Sequence, residues 1–143
     1  MQHLSIKLFA KMLLPMLFVY LLGYAWDIGW DGYHTIWWPN RLVHFLGGVS
    51  TAIFAYYLLD LVKKFKLLNT LNKVVDFFII LIFVMSITVV WEFYEYLSDL
   101  YLLTNAQPSV ADTMKDMFMG MLGATIFGVS WAVCLFFRAD KKP

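Results

Sequence analysis

Four long apolar stretches joined by short polar connections constrain this chain more than any motif does. They run at about Leu8–Trp26, Leu42–Val62, Phe77–Leu97 and Met117–Phe137. Each approaches or exceeds the roughly 20 apolar residues that cross a bilayer as a helix. Inside a bilayer a segment must satisfy its own backbone amides, and runs of this length do so as helices. The expected fold is therefore all-α, a four-helix transmembrane bundle, with residues 1–143 forming a single polytopic membrane domain. Composition agrees: 62% hydrophobic residues in 143 leave too few polar side chains to cover a soluble globule. The fourth stretch carries no charge. The first contains Lys11, whose stem lets its ammonium reach the interface. It also contains Pro15, near its start, where proline disturbs a helix least.

Basic residues set the expected orientation. Lys7, Lys11, Lys63, Lys64, Lys66, Lys73, Arg138, Lys141 and Lys142 fall on one side of the four stretches, and Arg41 and Lys115 on the other. The positive-inside rule then places both termini in the cytoplasm of a cell whose cytoplasmic (inner) membrane holds the protein. The apolar start mimics a signal peptide, but it ends Gly-Tyr-Ala-Trp-Asp without a small-x-small cleavage pattern, so it reads as a retained span. Cys134 is the single cysteine and reads as a small packing residue in the fourth span; no thiolate metal site is available.

Seven of the ten carboxylates belong to the opposite, outward edge: Asp27, Asp31, Glu92, Glu95, Asp99, Asp112 and Asp116. Arg41 and Lys115 alone oppose them. Acids concentrated at the mouth of an apolar bundle call for a bound cation, shared protons, or both. Glu92 and Glu95 are i,i+3 neighbours and Glu95 and Asp99 are i,i+4 neighbours, so one helical face carries all three. Glu92 lies deepest, about 10 Å below Asp99. Asp99 itself reads as a solvated helix end, and Asp27, Asp31 and His34 as surface-loop residues. Asp112 and Asp116 also share a face, and Ser109 stands where a helix-capping hydroxyl is expected. Asn40 reads as the cap of the second helix.

Small residues indicate which helices meet. Gly120, Ala124, Gly128 and Ala132 recur in the fourth stretch, and Gly47, Gly48, Thr51, Ala52 and Ala55 in the second. In lipid such stripes let backbones approach. Packing of these two helices would carry His44 to the Asp112 and Asp116 pair. His44, Glu92, Glu95, Asp112 and Asp116 are thus the candidate metal ligands. One imidazole with several carboxylate oxygens suits a divalent cation such as Mg, Mn, Ca or Zn. The Glu-x-x-His pairs of di-iron bundles are missing, as are phosphate-binding glycine loops, zinc-protease helices and serine elbows. Nothing in the sequence points to nucleic acid.

Three segments carry a resemblance: Arg41-Leu42-Val43-His44-Phe45-Leu46-Gly47-Gly48, Trp91-Glu92-Phe93-Tyr94-Glu95-Tyr96 and Ala111-Asp112-Thr113-Met114-Lys115-Asp116-Met117-Phe118-Met119. In order and spacing they resemble the YjdF-like family of bacterial inner-membrane proteins. More distantly they are similar to VanZ-like membrane proteins, some linked to glycopeptide resistance. Members of the first group often carry an acid just before the arginine, where this chain has Asn40. The resemblance implies the fold and the polar positions and leaves the reaction open. Three functions stay in play: a metal site acting on an envelope lipid or its head group, a proton- or cation-coupled transport component, and a non-catalytic membrane scaffold.

Overall fold

The computed structural model describes residues 6–30, 38–69 and 72–139, with side chains excluded at 27–30 and 135–139. Four helices account for nearly all of them, and no strand occurs among the described residues: α1 Ile6–Trp30, α2 Trp38–Lys64, α3 Lys73–Leu102 and α4 Val110–Ala139. Each contains a segment long and apolar enough to span a membrane. Phe18, Ile82 and Phe118, each about two-thirds exposed, point outward as lipid-facing residues do. Cys134 is also exposed, so it is not the interior packing residue expected of it.

The helices outrun the apolar stretches. Thirty residues of α3 extend about 45 Å, against about 30 Å of hydrocarbon. Hydropathy marks what lies in lipid, whereas the helix continues until the backbone is capped. Thus α2 begins at Trp38 with Pro39 in its first turn, where the missing amide proton costs nothing. Asn40 is consequently inside the helix and is not its cap. At the start of α4 the expectation holds: the Asp112 amide donates to Ser109 Oγ at 3.2 Å.

The other two ends are also locally encoded. Asn72 Oδ1 accepts the Val74 amide at 3.0 Å and caps α3. After α2, Leu67 N donates to Val62 O and Lys66 N to Lys63 O, with Lys66 at φ 58°. This is the Schellman ending, with a lysine in the left-handed position that favours glycine.

Helices α2, α3 and α4 pack against one another, whereas among the described residues the α1 backbone approaches α2 and neither of the others. The α2–α4 contact is the tightest. A Cβ at Gly48 would strike the Gly120 carbonyl, and one at Gly123 the Phe45 carbonyl. Further along α4, away from the acidic end, the small-residue stripe winds off α2: Gly128 accommodates the ring of Phe77 from α3. Gly47 differs from its neighbour, since a Cβ there meets nothing within 4 Å. Below these contacts Ala52, Ala55, Leu59, Ile80, Val84 and Ala124 form a closed apolar core.

Candidate metal centre at the acidic end of the bundle

Close approach of α2 to α4 fixes His44 opposite Asp116, and α3 adds Glu92 and Glu95. His44, Glu92 and Asp116 are all more than nine-tenths buried, at 8%, 6% and 2% exposure. One ligand atom from each lies within 4.8 Å of the others. His44 Nδ1 stands 3.9 Å from Glu92 Oε1, and Nε2 stands 3.8 Å from Asp116 Oδ2. These separations are too long for hydrogen bonds. Two ligands on adjacent positions of one ion stand about 3–4 Å apart when each bond is about 2.1–2.4 Å, and the Nε2–Asp116 separation matches such a pair; Nδ1 leaves the ring on its other side and would not share an ion with Nε2.

Unmet hydrogen-bonding capacity converges on the same point. His44 Nε2, Glu92 Oε1 and Asp116 Oδ1 are buried without a hydrogen-bond partner. Leaving even one such atom unsatisfied costs about 1–3 kcal/mol, and more for a charged group. Three residues, each with an orphaned polar atom and each with one ligand atom within 4.8 Å of the others, form an electrostatically strained arrangement that a cation or a shared proton would relieve. The donor set, one imidazole and two carboxylates from three helices, fits a divalent metal.

The remaining oxygens are held in place. Asn40 Nδ2 donates to Asp116 Oδ2 at 2.8 Å, linking α2 to α4. Gln107 Nε2 donates to Glu92 Oε2 at 3.0 Å and reaches its carbonyl at 3.3 Å. Gln107 is delivered by Asp99, which accepts the amides of Ala106 at 2.7 Å and Gln107 at 2.8 Å as well as the Thr104 hydroxyl. Asp99 therefore does more than end a helix: it folds the 103–109 connection over the site. Sequence reading found neither Asn40 nor Gln107 as site residues. The Asp-x-x-x-x-Thr spacing before a Pro-containing turn is the only trace of the second.

Glu95 and Asp112, the other two expected ligands, lie beside the trio. Glu95 Oε1 is 3.8 Å from His44 Nε2 and accepts the Trp91 indole N–H at 2.8 Å. Asp112 turns to Arg41, 3.8 Å away. His44, Glu95 and Asp112 line a cavity of about 620 Å³ that opens between α1 and α3. Asp27 lies in α1 with its side chain outside the described residues, as Asp31 and His34 are entirely.

Residues 4–137 match the family described as predicted membrane protein (DUF2238), and the chain belongs to that family. No curated protein and no solved structure matches it.

Proposed function

We propose that this member of a multi-pass membrane family binds a divalent cation at His44, Glu92 and Asp116 and acts on an envelope lipid or its head group. The observation that carries the reading is a buried His44–Glu92–Asp116 group with one ligand atom of each within 4.8 Å of the others, in which each residue also has a buried polar atom without a hydrogen-bond partner. Mg, Mn, Ca and Zn are the candidate ions. A divalent ion there would supply charge neutralisation and Lewis acidity at the end of the cavity. Of the two carboxylates left over, Asp112 faces Arg41, whereas Glu95 lines the cavity with one oxygen fixed by the Trp91 indole. Its role is general base, accepting a proton from a hydroxyl or water in the cavity. The YjdF-like and VanZ-like likeness belongs to the same proposal, because the motif residues Arg41, His44, Glu92, Glu95, Asp112 and Asp116 are those at this end of the bundle.

The split of nine basic residues against two supports a reading in which the termini are cytoplasmic and the cavity lies on the outer side of the inner membrane. Impermeant thiol labelling in a Cys134→Ser background tests that orientation. Asn105→Cys should label on intact cells and Phe65→Cys should not; the reverse pattern would turn the site inward. Conduction of protons or cations fits less well, since the packed core of Ala52, Ala55, Val84 and Ala124 closes the bundle below the cluster.

The metal reading is tested by melting purified protein in detergent. Chelator should lower the melting temperature and one of the four ions should restore it, because a ligand bound only by the folded state stabilises it. Asp116→Asn should remove most of the response. A melting temperature indifferent to chelator and to all four ions would leave a proton-sharing relay or a scaffold as the reading.

A further inference from the structure

We infer that the cavity between α1 and α3 binds a lipid with an amine-bearing head group, its chain entering sideways from the bilayer. The inference shares its site with the metal reading and deepens it by naming a ligand class.

The cavity is amphipathic along its length. At the connection end His44, Glu95 and Asp112 reach it, and further down its walls are Met16, Val19 and Ile87. About 620 Å³ lies within the range of ~300–1,000 Å³ typical of sites for small amphiphiles. Its side opening follows from helix packing: among the described residues the α1 backbone approaches α2 but not α3. Across that gap Tyr20 meets Trp91 edge-on, with ring centroids 6.3 Å apart. Both rings are more than a third exposed, in the part of each helix that faces lipid. Side chains alone, and no backbone contact, close this side of the cavity, so movement of the two rings would admit an acyl chain from the apolar layer.

Gly47 gives the cavity its width. Where Gly48 and Gly123 are required by backbone contact, a Cβ at Gly47 meets nothing within 4 Å. Helix packing does not demand glycine there, and the space it leaves is one turn from His44 on the cavity wall.

Charge selects the head group. Among the described side chains at this end, Glu92, Glu95, Asp99, Asp112 and Asp116 contribute five negative charges when ionised, and Arg41, within 3.8 Å of Asp112, and Lys115 contribute two positive charges. A divalent ion in the trio leaves one negative charge; without an ion, three remain. In either state the carboxylates lining the cavity repel an anionic head group and attract an ammonium. An aminoalkyl phosphate head answers this charge, with its ammonium on Glu95 in the cavity wall.

Radiolabelled lysophosphatidylethanolamine and lysophosphatidylglycerol of the same chain length, titrated onto the purified full chain with and without chelator, provide the test. Wild type should favour the amine lipid by on the order of tenfold. Gly47→Leu should lose that binding by a similar factor while keeping the wild-type melting temperature. Glu95→Gln should equalise the two lipids while retaining chain binding, and it reads out the proposal even if Gly47→Leu misfolds. Equal affinity of wild type for the two lipids, or full binding by folded Gly47→Leu, would overturn it. An amine preference that persists in chelator, alongside a melting temperature indifferent to metals, would remove the metal reading and leave this one standing. A metal response without lipid preference would do the opposite.

Discussion

The two ends of this bundle bury the same chemistry in opposite ways. At the basic end Asp76, 4% exposed in the first turn of α3, receives a hydrogen-bonded ion pair from Lys63 at the close of α2. Nearby, Lys73 lies over the Trp131 ring at 5.1 Å. At the acidic end, sixteen residues along α3 from Asp76, Glu92 is similarly buried, yet one of its oxygens finds no hydrogen bond and faces a histidine and an aspartate. One end neutralises its buried carboxylate with a lysine from the chain itself. The other gathers acids and an imidazole: Arg41 is set against Asp112, and His44, Glu92 and Asp116 each keep a buried polar atom without a hydrogen bond. A buried charge left to an outside partner marks a binding site, whereas one answered within the fold is structural.

The largest effect is expected where this contrast is broken at the basic end. Lys63→Met leaves Asp76 buried without its partner and should cost about 3–5 kcal/mol. Lys63→Met with Asp76→Leu should recover most of the loss in a detergent melt. If the single variant is as stable as wild type, the ion pair is not the fastening it is taken to be.

At the acidic end, removing a charge should have the opposite sign when metal is withheld. In chelator, Glu92→Gln and Asp116→Asn should be more stable than wild type by about 1 kcal/mol, since each deletes mutual repulsion at similar volume. With the preferred ion present the order should reverse. Wild type leading in both conditions would mean that the carboxylates are satisfied without an ion.

A comparable effect of about 1–2 kcal/mol is expected for Asp99→Ala, which removes the acceptor for the Ala106 and Gln107 amides. Proteolysis should then cut faster within residues 103–109, and the metal response should shrink as Gln107 leaves Glu92. The smallest expected change is a gain. Lys66→Gly relieves the left-handed φ of 58° that ends α2 and should raise stability by about 0.5–1 kcal/mol without touching metal binding.

Much of the architecture was legible because lipid imposes so strong a demand on sequence. Four apolar runs became four helices, and the glycine stripes of α2 and α4 did mark a backbone contact at Gly48 and Gly120. Helix ends were not legible from hydropathy, since helices continue beyond hydrocarbon. That is why Asn40, read as a cap, instead sits within α2 and holds Asp116. Adjacent glycines also hid different roles: both border the cavity, but a one-residue step turns a helix by about 100°, so Gly48 alone meets the α4 backbone. Three of the five expected ligands meet within one coordination distance, and the choice among them depended on rotamers that spacing alone does not encode. Gln107 belongs to a connection whose path is dictated by Asp99, so no periodicity could reveal it.

Metal stoichiometry tests the central claim most directly. Equilibrium dialysis of purified wild type, Asp116→Asn and Lys63→Met against Mg, Mn, Ca and Zn in turn, with elemental analysis of the retained protein, compares the two ends in one assay. One equivalent of a single ion on wild type and on folded Lys63→Met, with loss of that equivalent in Asp116→Asn, is the predicted result. Wild type that retains none of the four ions, or Asp116→Asn that retains as much as wild type, would contradict the assignment.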